Sequence, residues 1–390
     1  MRILILGARA PACLEWVRIF HRAGIDVWVA DSMQWPVAKF SRFTRRFIKL
    51  PPVKPFAKWQ QALKASVDHY RFDYVLPTCE EVFYLAKAKE VLPAGVTRWV
   101  SDLSILNTLH NKFAFSIVTA GLSINTPKTL QVTNAEQLAE ALNTLGGSSQ
   151  CVLKPVYSRF ASQAFVAPSA NELAIVTKKL SEKTPWAVQQ YIRGRELCSY
   201  AIAEQGELVA HSCYQGKYRA GNGASIYFEP VDCNPLCEFA RELVKRLNFS
   251  GQLGFDFIVD DAGKVWVIEC NPRATSGIHL LGHDPHALVA KMLRPAAKNN
   301  VLQSAAPRMV AQACLLYHFT DFFKAEFWRD FKRARDVLAY RQDPGPAYWQ
   351  ILPVMEFAWR ALKSRQSLIA ATTQDIEWCG DIFWEGENAP

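Results

Sequence analysis

The stretch VWVIECNPRATSG, residues 265–277, restricts the fold more than any other part of the chain. Its apolar first half predicts a β-strand, in which side chains two residues apart share one face. Glu269, Asn271 and Arg273 are therefore expected on one face, together with Val267. An ordinary strand that becomes polar as it meets water has the same pattern, so the stretch alone does not define a site.

A second strand is predicted just before it, in QLGFDFIVD, with Asp260–Gly263 as the turn of a hairpin. Folding this hairpin places Asp256 beside Glu269. Two carboxylates and the amide oxygen of Asn271 are hard ligands, which suit Mg²⁺ completed by phosphate oxygens and water. Arg273 would then meet the phosphate end of such a complex, where a planar guanidinium fits.

The N-terminal residues predict the opening of a doubly wound sheet. RILIL, Gly7, an amphipathic helical pattern and the strand IDVWVAD give β-turn-α-β, and a third strand follows in YVLPT. The turn GARAPA has only the first glycine of the G-x-G-x-x-G dinucleotide fingerprint. Asp31 stands where a ribose-binding acid would, which leaves a nicotinamide-dependent dehydrogenase open as a lesser alternative.

The charge balance favours an anionic partner. A formal net charge of +9 and a pI near 9.0 suit nucleotide phosphates, nucleic acid or an acidic substrate, and equally an ordinary basic protein. Residues 38–59, AKFSRFTRRFIKLPPVKPFAKW, interleave cations with aromatics as binders of single-stranded nucleic acid do. No other nucleic-acid motif accompanies them, so we favour a loop with docked aromatics and solvated cations, and expect no nucleic-acid partner.

The sequence has no sign of a membrane or secreted protein. No apolar run approaches the roughly 18 residues that span a bilayer, and the apolar part of the N-terminus is too short for a signal peptide. The ten cysteines are scattered in apolar contexts, as buried reduced thiols are. We therefore expect a cytoplasmic protein without membrane insertion.

The pattern changes from about residue 99 onward. A helix that carries Lys112 is predicted over Asn107–Ala120, and another begins with Thr133 as its N-cap. Short strands follow in QCVLKPV, which contains Lys154, and in WAVQQYI, LCSYAIA and ELVAHSC. Each lysine alone is typical of a surface or strand-edge side chain. After Pro285 the chain is predicted to be helical and aromatic.

The order of these features resembles the ATP-grasp superfamily over about residues 1–290. A helix lysine, a strand lysine, VQQYIRGRE and then D…E-x-N-P-R follow the family's order, most like the carbamoyl phosphate synthase large subunit and the carboxylate–amine ligases. The resemblance implies an α/β fold class with three parts. These are a Rossmann-like domain at 1–98, an ATP-grasp domain at 99–290 with a lid at about 150–186, and an aromatic-rich, mainly helical C-terminal extension at 291–390.

The resemblance also implies roles for individual side chains. The residues that would bind ATP are Lys112, Lys154, Ser158, Arg159, Gln189, Gln190, Ile192 and Glu196. The metal ligands for Mg²⁺ or Mn²⁺ would be Asp256, Glu269 and Asn271. The catalytic residues would be Arg273, Lys217 and Arg219. The family's phosphate loop is rich in glycine, whereas YSRFASQ has none here, so side-chain donors would replace backbone N–H groups.

A ligase reaction is what the resemblance implies: ATP activates a carboxylate as an acyl phosphate, and an amine then displaces phosphate. The expected partners are small-molecule carboxylate and amine substrates. The alternative is a catalytically weak nucleotide-binding module with a regulatory or interaction role. The aromatic extension is compatible with structural packing, an apolar acceptor pocket or a homodimer interface.

Overall fold

A computed structural model describes residues 1–157, 164–221, 224–294 and 303–380. The first elements are β1 (Arg2–Leu6), α1 (Pro11–Arg22), β2 (Asp26–Asp31), β3 (Arg46–Lys49), α2 (Phe56–Tyr70), β4 (Tyr74–Pro77), α3 (Glu81–Lys87) and β5 (Thr97–Arg98). The strands form a parallel sheet in the order β3-β2-β1-β4-β5. The predicted doubly wound opening is confirmed.

This sheet is buried on both faces, which explains the continuous apolar run of its central strand. Ile3 and Ile5 of β1 pack in the core that contains α1, whereas Leu4 and Leu6 pack in a second core on the opposite face. Because β1 and β4 run parallel, their carboxyl ends lie at the same edge of the sheet. Ligands bind at this edge in open parallel sheets.

The basic aromatic segment is not the loop that the sequence predicted. Its first part forms a short 3₁₀ turn at Val37–Phe40, and its middle forms the edge strand β3. Phe47 is half-buried on the domain, while the side chains of Arg45 and Arg46 are exposed. The expectation of docked aromatics with solvated cations describes the side chains, and the parallel pairing with β2 supplies the backbone structure.

The next elements surround a small antiparallel sheet with a core of its own. They are α4 (Leu103–His110), α5 (Lys112–Thr119), β6 (Thr129–Val132), α6 (Ala135–Thr144), β7 (Cys151–Pro155), β8 (Phe165–Val166), α7 (Ala170–Lys179) and β9 (Trp186–Gln190). The sheet order is β6-β9-β7-β8. Leu138, Cys151 and Trp186 are buried in its separate core, so the lid expected at about 150–186 is part of a larger unit.

Two predicted helix features here were wrong. The helix expected over Asn107–Ala120 is two helices, because Asn111 leaves the helical conformation and caps α5 by accepting from the N–H groups of Phe113 and Ala114. The N-cap of α6 is Asn134 and not Thr133. The Asn134 side chain accepts from a backbone N–H, as good N-caps do.

A larger antiparallel sheet carries the hairpin. Its strands and nearby helices are β10 (Arg195–Glu204), β11 (Glu207–Gly216), β12 (Tyr227–Pro230), α8 (Asn234–Leu247), β13 (Gly251–Val259), β14 (Val265–Asn271) and α9 (Pro285–Leu293). The sheet order begins β14-β13-β10-β11-β12. The predicted hairpin between β13 and β14 is confirmed, with its turn at Asp260–Gly263.

The C-terminal residues complete this sheet and then return to the N-terminal domain. They form β15 (Arg308–Met309), α10 (Ala311–Tyr317), α11 (Ala325–Arg333), β16 (Arg335–Asp336), α12 (Gly345–Trp349), α13 (Ile351–Ser364) and α14 (Leu368–Ala371). Strand β15 pairs with β12 and β16 with β15, so the extension is joined to the grasp sheet. Across the described ranges, no helix combines the length and apolar character that crossing a bilayer requires.

Candidate active site

The β13–β14 hairpin contains a β-bulge at the point where its polar residues begin. Asp256 lies opposite Glu269, but the next pair joins Phe257 to Val267, so Ile268 is an extra residue on β14. The bulge reverses the side-chain alternation. Val267 and Phe257 share the core face, while Asp256 and Glu269 share the opposite one. The prediction that Val267 lies on the same face as Glu269 was therefore wrong.

The polar residues of the hairpin meet at one end of it. The Asn271 side-chain nitrogen donates to Asp256 Oδ2 at 3.4 Å, and Arg273 Nη2 donates to Asn271 Oδ1 at 3.2 Å. The thiol of Cys198, on the neighbouring strand β10, donates to Asp256 Oδ1 at 3.1 Å. The structure thus brings together the three proposed metal ligands and the arginine beyond them.

Two buried lysines from other elements face the same carboxylate. Lys112 Nζ is 3.7 Å from Glu269 Oε2, and Lys154 Nζ is 3.9 Å from it. Lys112 is the first residue of α5, and its backbone N–H donates to the carbonyl of Val156 just after β7. The helix break at Asn111 therefore delivers one lysine to the strand that carries the other.

The site is electrostatically uneven. Burial, and then the charge of Glu269, raise the pKa of Asp256 to about 7. Burial alone would also raise the pKa of Glu269, but Lys112 and then Lys154 outweigh it and lower that pKa. Burial and the neighbouring Lys112 lower the pKa of Lys154. Two carboxyl groups packed side by side thus cannot both ionise easily near neutral pH unless further positive charge arrives.

The donor set fits a magnesium ion. The hairpin supplies two carboxylates, those of Asp256 and Glu269, and the described part of the chain has no cluster of three or more His, Cys, Asp and Glu side chains arranged for a metal. Mg²⁺ is bound by one or two carboxylates together with phosphate oxygens and water. Rotation of the Asn271 amide would add its oxygen to those of Asp256 and Glu269, and a divalent cation would relieve the repulsion that raises the pKa of Asp256.

The expected adenine-binding segment joins the small sheet to the hairpin. Gln189 is buried, and its side-chain nitrogen lies 3.2 Å from Thr129 Oγ1 and 3.4 Å from the carbonyl oxygen of Ile268. The backbone N–H of Gln190 donates to the Lys128 carbonyl at 2.8 Å. Ile192 is buried two residues after the end of β9.

The remaining predicted residues are placed less directly. Arg219 forms an ion pair with Glu196, the residue expected at the ribose. Lys217 is paired with Glu326 at 2.8 Å and with Asp330 at 2.5 Å, both on α11. The Lys217 side chain would have to break its ion pairs with α11 to reach a phosphate at the hairpin. Ser158 and Arg159, expected at the phosphates, lie outside the described residues.

A cleft that the sequence did not predict opens beside Arg273. It has a volume of about 360 Å³ and lies between the N-terminal domain, the grasp sheet and the C-terminal extension. Its walls include Arg9 and Glu80 from the first region, Phe228 from the second and Phe357 from the third. The sequence PTCEE, residues 77–81 at the end of β4, could have indicated that polar side chains lie at this edge of the sheet. No local pattern in the sequence indicated that α13 contributes to the cleft.

Thr372 and Thr373, at the start of the C-terminal segment 372–380, line one side of the cleft. Arg9 is buried and donates to Asp31, to Asp375 and to the carbonyl of Thr372. Further along, the backbone N–H of Trp378 donates to Glu80. Asp31 is therefore occupied by a guanidinium, so it is not available to a ribose as the dehydrogenase alternative required.

One segment of the chain matches a known domain family. Residues 109–277 match the family model for the ATP-grasp domain, and this range contains both lysines and the hairpin. The chain therefore contains a segment, somewhat less than half of its length, that matches the ATP-grasp domain family.

Curated relatives share only part of their length with this chain. An uncharacterized protein of Methanocaldococcus jannaschii is 25% identical over 173 residues, which are 43% of this chain and 41% of that protein. The carbamoyl phosphate synthase arginine-specific large chain of Geobacillus stearothermophilus is 23% identical over 196 residues, 48% of this chain and 18% of that one. The chain thus spans less than half the length of these relatives.

Solved structures share the fold over most of the chain. N5-carboxyaminoimidazole synthetase from Staphylococcus aureus, complexed with ADP, has a TM-score of 0.63 and 13% identity over 82% of this chain and 86% of that one. An L-amino acid ligase from Bacillus licheniformis has a TM-score of 0.59 and 16% identity over 78% of this chain and 79% of that one. At these identities the likeness concerns the fold alone.

Proposed function

We propose that the chain is an ATP-dependent ligase that activates a carboxylate as an acyl phosphate and joins it to an amine. One observation carries the proposal: Asp256 and Glu269 lie side by side with Lys112 and Lys154 facing them and Arg273 at the end of the hairpin. Phosphoryl transfer requires a metal ion that binds the phosphates and cationic side chains close to it.

The nucleotide would lie between the small sheet and the hairpin. Lys112 and Lys154 would neutralise its phosphate oxygens, since both ammonium groups already lie near Glu269. Gln190 and Ile192, at and just after the end of β9, would bind the adenine edge through backbone atoms. Asp256, Glu269 and Asn271 would hold the divalent ion, which would supply positive charge beside the phosphates.

The first chemical step is in-line transfer of the γ-phosphoryl group. A carboxylate oxygen of the substrate attacks the γ-phosphorus, the bond to the bridging oxygen breaks, and ADP leaves. Arg273 would orient the carboxylate and its developing acyl phosphate, because it lies between Asn271 and the cleft. The amine nitrogen then attacks the acyl carbon and phosphate departs.

The cleft beside Arg273 would hold the carboxylate substrate, which accepts the phosphoryl group. Its walls bring together a guanidinium at Arg9, a carboxylate at Glu80 and the rings of Phe228 and Phe357. An acyl phosphate hydrolyses readily, so an apolar chamber that excludes water favours transfer to the amine. Arg219 would take part in acceptor binding after release from Glu196.

The relatives' names are compatible with this proposal. The L-amino acid ligase and the carboxyaminoimidazole synthetase are named for ligation and synthesis, and the latter was solved with ADP. The alternative, a nucleotide-binding module without turnover, has one observation in its favour: the glycine-free sequence YSRFASQ at the expected phosphate loop.

An acceptor screen tests the proposal. Pure protein is incubated with ATP, Mg²⁺ and a panel of carboxylates and amines, and ADP release is followed together with product mass. We expect ADP release that requires both a carboxylate and an amine. A matched variant, Lys154→Met, keeps the length of the side chain and removes its charge, so it should lose this activity. Tight ATP binding without turnover on any pair would instead support the module.

A further inference from the structure

Helix α13 turns one stripe of its apolar side chains away from the protein. Ile351, Met355, Trp359 and Leu362 follow one another at helical spacings of four, four and three residues and form one stripe. All four are exposed, Trp359 by 60% and Leu362 by 80%. A surface helix normally shows the opposite arrangement, with the apolar stripe against the core.

The polar side chains of α13 are used on its inner face. Glu356 accepts from the backbone N–H groups of Gln34 and Trp35, and Arg360 pairs with Glu356 and with Asp375. These contacts fix the rotation of the helix against the N-terminal domain. The outward direction of the stripe is therefore set by inward ion pairs and hydrogen bonds.

The stripe belongs to a wider apolar surface, which we call the outer face. Its members are exposed apolar residues on α12 and α13, namely Tyr348, Trp349, Ile351, Val354, Met355, Trp359 and Leu362. Contiguous apolar surfaces of this kind mark contact sites for a protein or a membrane. The charges around the outer face decide between these partners.

The neighbouring segment 32–67 contains eight Lys and Arg residues and no Asp or Glu. This segment packs directly on the helices of the outer face. The rings of Phe40 and Trp349 are stacked with centroids 6.2 Å apart, and the backbone N–H of Arg42 donates to Asp343. Among the described residues no ion pair is recorded for the side chains of Arg42 or Arg45.

The α13 end of the outer face is also positive. Lys363 Nζ lies 5.2 Å from the centre of the Trp359 ring, and Arg365 follows as an exposed residue. The acidic residue of the helix, Glu356, is turned inward onto Arg360. A second copy of the chain docked face to face would therefore bring like charges together, which disfavours association.

We infer that the outer face binds the surface of an anionic lipid bilayer. Tryptophan, tyrosine, methionine and leucine enter the interface between headgroups and acyl chains, while flanking Lys and Arg meet the negative headgroups. The helix lies in the plane of the bilayer and does not cross it. This binding is independent of the ligase reaction, because α13 contributes to the cleft beside Arg273 only Phe357, a residue outside the apolar stripe.

Vesicle co-sedimentation of the full chain tests the inference. We expect binding to vesicles that contain phosphatidylglycerol, weak binding to pure phosphatidylcholine, and a steep loss with added salt. The double variant Trp359→Gln/Leu362→Gln should lower the affinity by at least about tenfold, because two exposed apolar side chains no longer enter the lipid. Arg42→Gln/Arg45→Gln should lower it by a similar factor, on anionic vesicles only.

The matched control is Leu316→Gln, which changes another exposed leucine, on α10 and away from the outer face. It should bind vesicles as the original chain does, and all variants should keep the same thermal midpoint. Sedimentation velocity without lipid supplies the second readout. A dimer that Trp359→Gln converts to monomer would assign the outer face to a second copy and overturn the inference, as would equal binding by all variants.

Discussion

Two buried charge clusters in this protein are built in opposite ways. In the N-terminal domain, Arg9 is bonded to Asp31 at 2.6 Å and to Asp375 at 2.5 Å, with further bonds to Ser32 and the Thr372 carbonyl. At the hairpin, the nearest lysines are 3.7 and 3.9 Å from Glu269.

The difference separates a cluster whose charges the protein neutralises from one whose charges it leaves partly unbalanced. Burial would raise the pKa of Asp375, but Arg9, Ser32 and Arg360 outweigh it, and the pKa lies below its usual range. At the hairpin, burial and Glu269 instead raise the pKa of Asp256 to about 7. The first cluster is already neutralised by the protein. The second retains a repulsion that a cation or a triphosphate complex would remove.

The largest effect is expected from Glu269→Gln. This change removes one proposed metal ligand and the partner of both lysines, so ADP production should fall on the order of a thousandfold. The fold should remain intact, because one of two apposed carboxylates is lost. ADP release under saturating ATP and Mg²⁺ measures the first effect, and thermal unfolding measures the second.

The control for this change is Glu238→Gln on the surface of α8, where the carboxylate faces Arg241 in an exposed pair. It should leave ADP production unchanged. A folded Glu269→Gln protein that releases ADP at the normal rate would end the comparison, because the hairpin cluster would then be structural as well.

The next effect is expected from Asp375→Asn in the closed cluster. The change leaves the buried guanidinium of Arg9 with one carboxylate and removes a partner of Arg360. The free energy of unfolding should fall by about 3 kcal/mol, because a buried ion pair has been broken. Urea denaturation measures this.

Asp68→Asn, which breaks an exposed pair with Lys64 on α2, is the matched control and should change stability by less than about 0.5 kcal/mol. Similar values for Asp375→Asn and Asp68→Asn would show that the closed cluster adds little stability.

Glu81→Gln sharpens the comparison, because Glu81 lies beside the closed cluster without belonging to it. Its two carboxyl oxygens are buried, and no hydrogen bond is recorded for them within the described ranges. Burial, and then the charge of Asp31, raise the pKa of Glu81 to about 7.

A raised acid pKa stabilises the protonated folded state, so stability is full below the pKa of the unfolded chain and falls as pH rises to about 7. At pH 8 the Glu81→Gln variant should therefore be more stable than the original chain by roughly 2 kcal/mol in free energy of unfolding, and it should unfold at a higher temperature. At pH 4 this gain in stability should vanish. Thermal melts at the two pH values measure this. An equal effect at both would contradict a buried titrating carboxyl.

The smallest effect is expected from Cys198→Ala. The thiol donates to Asp256, so its loss should raise the pKa of Asp256 and weaken the affinity for Mg²⁺ by about two- to fivefold. Titration of ATP turnover with Mg²⁺ gives the affinity. Cys151→Ala, another buried cysteine that lies in the core of the small sheet, should leave that affinity unchanged.

Much of this architecture follows from short-range patterns. The apolar runs predicted β1, β2, β4 and the hairpin, because strand periodicity is written in neighbouring residues. The proposed ligands Asp256 and Glu269 were paired correctly because a short turn joins their strands. The roles of these residues remain predictions.

The bulge at Ile268 and the helix break at Asn111 were missed for a common reason. Strict periodicity cannot reveal one inserted residue in a ladder, nor an asparagine that prefers a cap to a helix interior. Yet both irregularities orient the site, one by turning Glu269 away from the core and the other by placing Lys112 against β7.

The C-terminal contacts had no local signal at all. Asp375 meets Arg9 only in the folded chain, and the stacking of Trp378 on Phe83 likewise joins residues almost three hundred positions apart. The pairing of Lys217 with α11 belongs to the same class. Contacts of this kind depend on tertiary packing, which sequence periods do not contain.

The bond between Arg9 and Asp375 has a consequence for synthesis on the ribosome. The first domain emerges early, but the carboxylate that completes its cluster is translated 366 residues later. At roughly 5–20 residues per second, the nascent domain waits tens of seconds with that guanidinium incompletely paired. During this interval the partners of the guanidinium are those that the N-terminal domain itself supplies, Asp31 and Ser32.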